Sequence, residues 1–198
     1  YFMKSSGGLV HASLFRSKHS ILSGPAGGVV GAVQTSKLAG FNQVIGFDMG
    51  GTSTDVSYYH ECYEYQYDTE VSGIRLRLPM SAIHTIAAGG GSVVSYHQGR
   101  FQVGPESAGA QPGPACYRQG GPLTITDCNV LLGKIQPDYF PAIFGESGDE
   151  SLDDDRVNAL FLSLQKTINA DLSDPLSIEA IAEGFIRVAV MHMVSAIK

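Results

Sequence analysis

The feature that most constrains the fold of this chain is a polar turn between two apolar segments, GFDMGGTSTDVSYY at residues 46–59. The first segment ends at Asp48, and an apolar and aromatic pattern resumes at Val56, directly after Asp55. A hairpin needs only two or three turn residues, often Asn-Gly or Asp-Gly. This turn instead holds two glycines and three hydroxyl residues. It therefore carries more hydrogen-bond donors than the closing of a turn requires.

Such a turn can bind an anion, because glycine lets a ligand approach closely and successive backbone N–H groups attract negative charge. The hydroxyls of Thr52, Ser53 and Thr54 would donate to phosphate oxygens. Asp48 would hold a hydrated Mg²⁺ ion, which binds through few carboxylates and keeps several waters. Asp55 would orient the turn by accepting backbone N–H groups. The alternative is a tight turn whose hydroxyls satisfy only their own backbone.

Composition argues against several other classes of function. The chain of 198 residues is 43% hydrophobic and has a formal net charge of −6, without a cluster of Lys and Arg. We therefore expect a folded protein without a nucleic-acid partner. No uninterrupted apolar run approaches the roughly 18 residues that span a bilayer, so we expect no membrane association. Cys62, Cys116 and Cys128 lack metal-site spacing and fit the reduced thiols of a cytoplasmic protein.

The pattern of apolar and turn residues predicts a first part that is rich in strands. Residues 25–39 are predicted to form a helix that Gly40 ends. An antiparallel meander is predicted next, with strands at 43–48, 54–59 and 62–68 and a further strand at 71–78. The following part, dense in Gly and Pro, is predicted to hold strands near 82–87, 92–97 and 100–103 and then a long loop at 104–121.

The last part of the chain has the period of amphipathic helices. Thr126 or Asp127 is predicted to cap a short helix that ends near Leu132. A second helix is predicted at 152–168, and Ser177 is predicted to begin a long third one. These patterns divide the chain into three regions, 1–78, 79–122 and 123–198. The chain begins at Tyr1 and its last helical pattern has no end signal, so we expect a central segment of a longer protein.

The hairpin sequence FDMGGTSTDV resembles the second phosphate-binding hairpin of the superfamily that contains sugar kinases, heat-shock chaperones and actin. More narrowly, the chain is similar to the hydantoinase A/5-oxoprolinase family. This resemblance covers nearly the whole chain and rests on blocks that flank the hairpin in the family's order. They are SSGGL at 5–9, ILSGPAGGVVGA at 21–32, HTIAAGGGSVV at 84–94, VGPESAGAQPGPACY at 103–117, GGPLTITDCNVLLGKIQPDYF at 120–140 and AEGFIRVAVMHMVSAIK at 182–198.

The resemblance implies an α/β fold of the ribonuclease-H-like (actin-like ATPase) type, with a β-rich insertion that is rich in Gly and Pro and with C-terminal helices. Members of the family use ATP to open cyclic amides such as hydantoins or 5-oxoproline, and a related branch carboxylates acetone. ATP phosphorylates a poorly reactive carbonyl or enol oxygen. A partner domain or subunit of the B type then completes the hydrolysis or the carboxylation.

Carried over to this chain, the resemblance assigns Mg²⁺ to Asp48. It assigns the ATP phosphates to five residues of the turn, Gly50, Gly51, Thr52, Ser53 and Thr54. The family also has an earlier phosphate hairpin and a later adenosine-binding motif, and neither pattern occurs in this sequence. We therefore expect this chain alone to bind ATP weakly or not at all and to catalyse no reaction.

Two further residues are candidates for catalysis. His84 precedes AAGGGS and would reach a bound substrate or phosphate, although a lone histidine is more often a packing residue. Glu106 lies in the predicted loop, and long loops inside compact domains are usually functional. Residues 89–91 either let a backbone approach a ligand closely or form a bulge. Asp127 is either a helix cap or a ligand, and Cys116 is expected to be structural.

The leading hypothesis is the ATP-binding portion of an ATP-dependent hydrolase that acts on small cyclic amides. Three alternatives stay open: an ATP-dependent subunit of the acetone-carboxylase kind, a nucleotide-binding module without catalysis, and a plain interaction domain whose glycine hairpin is only structural. Exposed apolar surface would favour docking of a partner or a homo-oligomer.

Overall fold

Two compact units make up the structure, a computed structural model that describes residues 1–71, 73–170 and 172–198. The first unit contains Tyr1–Asp48 and Asp55–Thr85, and the second contains Met49–Thr54 and Ile86–Lys198. The tip of the polar hairpin therefore belongs to the second unit, whereas both flanking acids belong to the first. Helices and strands both contribute, which confirms the predicted α/β class.

The first unit begins with a small hairpin and a long helix. Strands β1 (Phe2–Met3) and β2 (Leu9–Val10) pair in antiparallel fashion, and helix α1 runs over Ser23–Leu38. Gly40 follows at φ +88°, the left-handed conformation that favours glycine after a helix, so α1 ends next to its predicted stop. The helix begins two residues earlier than predicted, which places Pro25 in the first turn, where its missing N–H costs no helical hydrogen bond.

Two longer strands, β3 (Gln43–Met49) and β4 (Thr54–His60), flank the polar turn as predicted. The strands that follow are short: β5 (Cys62–Tyr63), β6 (Tyr65–Gln66), β7 (Thr69–Val71), β8 (Ile74–Leu76), β9 (Met80–Ser81) and β10 (His84–Ile86). In the four-stranded sheet, β4 lies between β10 and β3, and β5 also pairs with β4. Val56 and Tyr59 are the buried apolar side chains of this central strand, and Thr54 and Ser57 are its buried polar ones.

Two strand predictions in this region are wrong, and a third strand is shorter than predicted. The strand predicted at 62–68 is split into β5 and β6, which pair with different partners, β4 and β9. The strand predicted at 71–78 is replaced by a hairpin of β7 and β8, which turns at Gly73 with φ +78°. Ser72, inside that predicted strand, lies outside the described residues. The strand predicted at 82–87 is shortened to the three residues of β10.

The second unit combines one long hairpin with three helices. Strands β11 (Ser92–His97) and β12 (Arg100–Ser107) pair in antiparallel fashion. Helices α2 (Ile125–Leu131), α3 (Asp154–Asn169) and α4 (Ile178–Ile197) pack around them. The core of this unit includes Val94, Val103, Ile125, Val157, Phe161, Ile181 and Phe185.

Strand β12 is longer than predicted, because its pairing with β11 continues past a bulge until Ser107 lies opposite Ser92. The long loop predicted at 104–121 therefore begins four residues later and includes a 3₁₀ turn at Ala115–Tyr117. As a result, Glu106 lies on a strand rather than in a loop.

The caps of the helices are partly as predicted. Thr124, rather than Thr126 or Asp127, is the N-cap of α2, and Asp127 completes its capping box. Helix α3 begins at Asp154 instead of residue 152, behind the cap residue Asp153, and the acidic run forms its cap and first turn. Ser177 caps α4 as predicted.

Helix α4 passes a length and composition test for a membrane span, although Glu183 and Arg187 interrupt its apolar residues. It is 20 residues long and apolar enough, by length and composition, to cross a membrane. Ile181, Phe185 and Ala189 of this helix are buried in the core of the second unit. Met191 and Val194 of the same helix are 62% and 41% exposed. The structure thus gives α4 one packed face and leaves part of its last two turns uncovered.

Candidate functional site

The turn at residues 50–53, here named the donor turn, connects β3 to β4. The N–H of Gly50 donates to the carbonyl of Ser53 at 2.9 Å and closes the turn. Within the part of the chain that the structure describes, the N–H groups of Gly51, Thr52 and Ser53 donate to no other group, and neither do the hydroxyls of Thr52 and Ser53. Three consecutive residues therefore offer backbone and side-chain donors to a ligand.

Thr54 differs from the three residues before it. Its side chain is fully buried, and its hydroxyl donates to the carbonyl of Ala88 at 2.5 Å. That hydroxyl is not available to a phosphate. Gly50 likewise uses its N–H inside the turn. It therefore offers no free donor, although its lack of a side chain leaves space for a ligand. The set of free donors is narrower than the five residues that the sequence predicted.

A second glycine-rich segment, residues 89–91, lies against the donor turn and is named the triple-glycine segment. The N–H of Gly90 donates to the carbonyl of Gly50 at 3.2 Å, and the N–H of Gly91 donates to that of Gly51 at 2.6 Å. A Cβ atom on Gly89 would lie 2.7 Å from the Gly50 oxygen, and one on Gly91 would lie 2.9 Å from the Gly51 oxygen. These glycines are required because one backbone packs directly on another.

Both acids that flank the donor turn line a cavity of about 210 Å³ in the first unit. Helix α1 forms one wall, where a Cβ on Gly28 would lie 3.7 Å from Oδ2 of Asp48. Asp55 accepts a hydrogen bond of 2.6 Å from the hydroxyl of Thr85. This side-chain donor takes the place of the backbone N–H groups that the sequence predicted for Asp55.

The carboxylates of this cavity suit a hard cation such as Mg²⁺, which prefers oxygen ligands. Among the described residues, no three His, Cys, Asp or Glu side chains are grouped so that they could hold a metal ion. A cation bound by Asp48 would therefore take most of its shell from water and from phosphate oxygens, as Mg²⁺ usually does. The residues present fit the role predicted for Asp48.

The two predicted catalytic residues belong to different units, and both are exposed. His84 begins β10 in the first unit, and Glu106 lies on β12 in the second. Neither side chain makes a hydrogen bond to another residue in the described ranges. Both are accessible to a ligand, and their catalytic roles stay predictions.

Asp127 is completely buried and acts as a structural acceptor. Its carboxylate accepts the N–H groups of Ala115 at 3.1 Å, Cys116 at 2.8 Å and Thr124 at 2.8 Å, together with the hydroxyl of Thr124 at 2.9 Å. The N-cap position that the sequence offered to Asp127 is held by Thr124, and Asp127 acts instead as the capping-box partner at the third helical position. The same carboxylate also holds the 3₁₀ turn at Ala115–Tyr117 against α2.

The two buried cysteines have the properties of structural thiols. Burial, and then the negative charge of Asp127, raise the pKa of the Cys116 thiol far above its ordinary value. Burial in the first place also raises the pKa of the Cys128 thiol. A thiol reacts as a nucleophile only when it is ionised. The expectation that Cys116 is structural is therefore supported.

Two parts of this arrangement were missed by reasoning from the sequence. Thr85 is separated from Asp55 by 30 positions, and no local pattern links them. The triple-glycine segment did carry a signal, because glycine within a strand pattern marks a close backbone approach. That signal did not reveal that the approaching backbone is the donor turn itself.

Fold and site together define an α/β protein with a hairpin turn suited to anion binding. The chain belongs to the hydantoinase/oxoprolinase family, whose model matches residues 1–198. It is 52% identical over 190 residues to the 5-oxoprolinase of Saccharomyces cerevisiae, a match that covers 95% of this chain and 15% of the yeast protein. Caprolactamase subunit alpha of Pseudomonas jessenii is 34% identical over 207 residues, with 100% of this chain and 28% of that protein covered.

Two solved structures are similar to this one. The ATP-dependent caprolactamase from Pseudomonas jessenii matches with a TM-score of 0.79 and 32% identity, over 98% of this chain and 28% of that chain. Nucleotide-free acetone carboxylase, which carries out ATP-dependent acetone carboxylation, matches with a TM-score of 0.79 and 28% identity, over 96% of this chain and 26% of that chain. This chain therefore spans 15% to 28% of the length of these four proteins.

Proposed function

We propose that this chain binds the phosphates of ATP as part of an ATP-dependent cyclic-amide hydrolase of the hydantoinase or 5-oxoprolinase type. The observation that carries the proposal is the donor turn, where Gly51, Thr52 and Ser53 leave their N–H groups without partners in the described structure. A phosphate group offers several oxygen acceptors to such neighbouring donors. Because the yeast relative at 52% identity is a 5-oxoprolinase, 5-oxoproline is the first substrate to test.

A cyclic amide needs activation before its ring opens, because resonance makes the amide carbonyl a poor electrophile. ATP supplies the phosphoryl group that converts the carbonyl oxygen into a leaving group. The donor turn would hold phosphate oxygens through its three free N–H groups and the hydroxyls of Thr52 and Ser53. Phosphoryl transfer depends mainly on such positioning and on neutralisation of charge.

Asp48 would bind Mg²⁺ through water, since a carboxylate by itself repels a phosphate. In the same cavity, Asp55 is held in place by the hydroxyl of Thr85. His84 and Glu106 are our candidates for contact with the reacting groups, because both are exposed and ionisable. The similarity to two ATP-dependent enzymes supports a ribonuclease-H-like, actin-like fold for the longer protein.

A partner domain or subunit of the B type completes the proposed reaction. The name of the relative from Pseudomonas jessenii, caprolactamase subunit alpha, supports a division of that activity between subunits. We place the protein in the cytoplasm, and the three free thiols of Cys62, Cys116 and Cys128 agree with a reducing compartment.

A second candidate function is ATP-dependent carboxylation of a small ketone. The similarity to acetone carboxylase, at a TM-score of 0.79, supports it. The higher identity to the yeast 5-oxoprolinase, 52% against 28%, favours the hydrolase. The two functions differ in substrate, so an assay with 5-oxoproline and with acetone plus bicarbonate separates them.

The first test is a titration of this chain with MgATP, followed by ¹⁵N–¹H NMR. The family's other ATP-binding patterns do not occur in the sequence, so we expect weak binding with the largest shifts at the amides of Gly51, Thr52 and Ser53. Asp48→Asn should weaken the effect of MgATP, whereas Glu70→Gln, which changes an exposed acid on β7, should not. If the chain shows no shift at millimolar MgATP and the hybrid described next also releases no ADP, the plain interaction domain becomes the better hypothesis.

Turnover is tested in a hybrid in which this chain replaces the matching segment of the yeast 5-oxoprolinase. We expect ADP release that depends on 5-oxoproline, and its loss in the Asp48→Asn variant of the hybrid. Release of ADP with acetone and bicarbonate instead would support the carboxylase alternative. ATP binding without turnover of either substrate would support the non-catalytic module.

A further inference from the structure

Backbone hydrogen bonds hold the carbonyl groups of Gly50 and Gly51 in the donor turn. The oxygen of Gly50 accepts the N–H of Gly90 at 3.2 Å, and the oxygen of Gly51 accepts the N–H of Gly91 at 2.6 Å. Both donors belong to the triple-glycine segment, which therefore occupies the carbonyl side of two successive peptide units.

Because of the geometry of the peptide bond, fixing these carbonyls also fixes the N–H groups on the opposite side of the turn. In a planar trans peptide, the C=O of one residue and the N–H of the next point in opposite directions. Fixing the carbonyl of Gly50 therefore directs the N–H of Gly51 away from the triple-glycine segment. Fixing the carbonyl of Gly51 does the same for the N–H of Thr52. These two N–H groups are among those without partners in the described structure.

The orientation needs a restraint because glycine peptides rotate easily. Glycine adopts positive and negative φ at similar cost, so the Gly50–Gly51 peptide has little intrinsic preference for one orientation. A rotated peptide unit would present its carbonyl oxygen to the ligand. That oxygen would repel a phosphate that the N–H group attracts.

We propose that Gly90 and Gly91 are positioning residues that keep the peptide units of the donor turn oriented with their N–H groups towards the anion. This inference rests on the proposed function of the donor turn and adds a second segment to the phosphate site. Gly90 and Gly91 do not touch the ligand, and they act through the carbonyls of Gly50 and Gly51. Donors that are oriented before the ligand arrives bind developing negative charge without reorganisation.

The triple-glycine segment is itself anchored on both sides. The carbonyl of Gly90 accepts the N–H of Thr126 at 2.8 Å and its hydroxyl at 2.9 Å. The N–H of Gly89 donates to the hydroxyl oxygen of Ser92 at 2.9 Å. Thr126 lies in the first turn of α2, whose capping box includes the buried Asp127. The orientation of the donor turn is thus tied to the core of the second unit.

The orientation is tested first without any ligand. NMR scalar couplings across hydrogen bonds detect an N–H···O=C pair directly, and we expect such a coupling from Gly91 to Gly51. We also expect slow solvent exchange at the amides of Gly90 and Gly91 and fast exchange at those of Gly51 and Thr52. Fast exchange at Gly90 and Gly91, without a coupling, would overturn the inference whether or not the chain binds ATP.

The consequence for binding is tested with Gly91→Ala and inorganic tripolyphosphate plus Mg²⁺ as the probe. The added Cβ would lie 2.9 Å from the Gly51 oxygen and displace that carbonyl. Loss of a hydrogen bond to a charged group corresponds to about tenfold or more in affinity. We expect that loss together with diminished shifts at the Gly51 and Thr52 amides, at temperatures where melting curves show that the variant is folded.

Ser107→Ala is the matched control. Its hydroxyl lies 3.1 Å from the same Cβ position, and it accepts the N–H of Gly109 instead of bonding to the donor turn. If Gly91→Ala does not fold, Ser92→Ala removes the partner of the Gly89 N–H without adding an atom and should weaken binding in the same direction. Binding equal to that of the unsubstituted chain in the folded variants would overturn the inference. If the unsubstituted chain binds no tripolyphosphate, the exchange measurement still decides the orientation. The proposed function then fails only if the hybrid with the yeast 5-oxoprolinase also shows no ADP release that Asp48→Asn abolishes.

Discussion

The hydroxyl of Thr85 donates a 2.6 Å hydrogen bond to Oδ1 of Asp55 and fixes one of the two carboxylates that line the cavity of the first unit. The two residues lie on neighbouring strands, β10 and β4, of one sheet. Strand pairing therefore places a hydroxyl donor beside an acid that would otherwise rotate freely. This bond is the clearest sign that the position of Asp55 is determined by the fold.

Replacing Thr85 with Val should lower the free energy of unfolding by about 0.5–1 kcal/mol, because the lost hydrogen bond is accessible to water. Urea denaturation of the chain measures this change. Thr69→Val on β7 is the control, since it makes the same replacement on a strand. Equal losses in both variants would show that the Thr85–Asp55 bond contributes nothing to stability.

Asp127→Asn should destabilise the chain by about 2 kcal/mol or more, because the new amide group places donors against buried N–H groups that need an acceptor. The carboxylate currently accepts hydrogen bonds from Ala115, Cys116 and Thr124. The same denaturation measurement applies, with Asp155→Asn in the exposed first turn of α3 as the control. A loss no greater than that of the control would contradict the structural role of Asp127.

Stability should fall as the pH rises above 9, the ordinary pKa of a thiol. The unfolded chain ionises Cys116 and Cys128 in that range, whereas the folded chain keeps them protonated because burial raises the pKa of both. The unfolded state then binds fewer protons, so the free energy of unfolding decreases by up to ~1.4 kcal/mol per pH unit for each thiol. This contribution is present in full below pH 9.

The slope is measured by urea denaturation between pH 8 and pH 10. Cys128→Ala should reduce the slope of unfolding free energy against pH by the contribution of one thiol. Cys62→Ala, at an exposed position, should leave that slope unchanged. An identical slope in all three proteins would show that the buried thiols are not the cause.

The chain should self-associate through β3. In the described part of the structure, β3 has β4 on one side and no strand on the other. Ile45 on this strand is 54% exposed. Apolar edge strands tend to pair with a further strand. Ile45→Lys should shift the chain towards a monomer in light-scattering measurements, whereas Tyr139→Lys, at a residue 87% exposed in the second unit, should not. Equal effects of Ile45→Lys and Tyr139→Lys on the measured mass would show that the chain does not associate through β3.

Elements with a strong local pattern were predicted well. Helices α1 and α4 are within a few residues of their predicted ranges, and Ser177 caps α4 as its side chain suggested. Strands β3 and β4 also follow the alternation around the polar turn. Helix periodicity and capping depend on residues within a few positions of one another, so the sequence contains that information directly.

Predictions failed where the ends of a strand depend on the strand with which it pairs. The single strand predicted at 62–68 is divided into Cys62–Tyr63, which pairs with β4, and Tyr65–Gln66, which pairs with β9. Strand β12 continues to Ser107 because β11 supplies a partner there. Strand pairing joins segments that are distant in the sequence, and no local pattern specifies the end of such a ladder.

The sequence by itself determined the α/β class, the family and the position of the polar turn, because these depend on residue types and their spacing. Only the tertiary structure decided which donors of the turn stay free. The hydroxyl of Thr54 donates to the carbonyl of Ala88, and the N–H of Gly91 donates to the carbonyl of Gly51. In both pairs the residues are too far apart in the sequence for a motif to specify the contact. A donor is available to a ligand only when nothing in the fold already uses it, and that depends on neighbours that are brought close by folding.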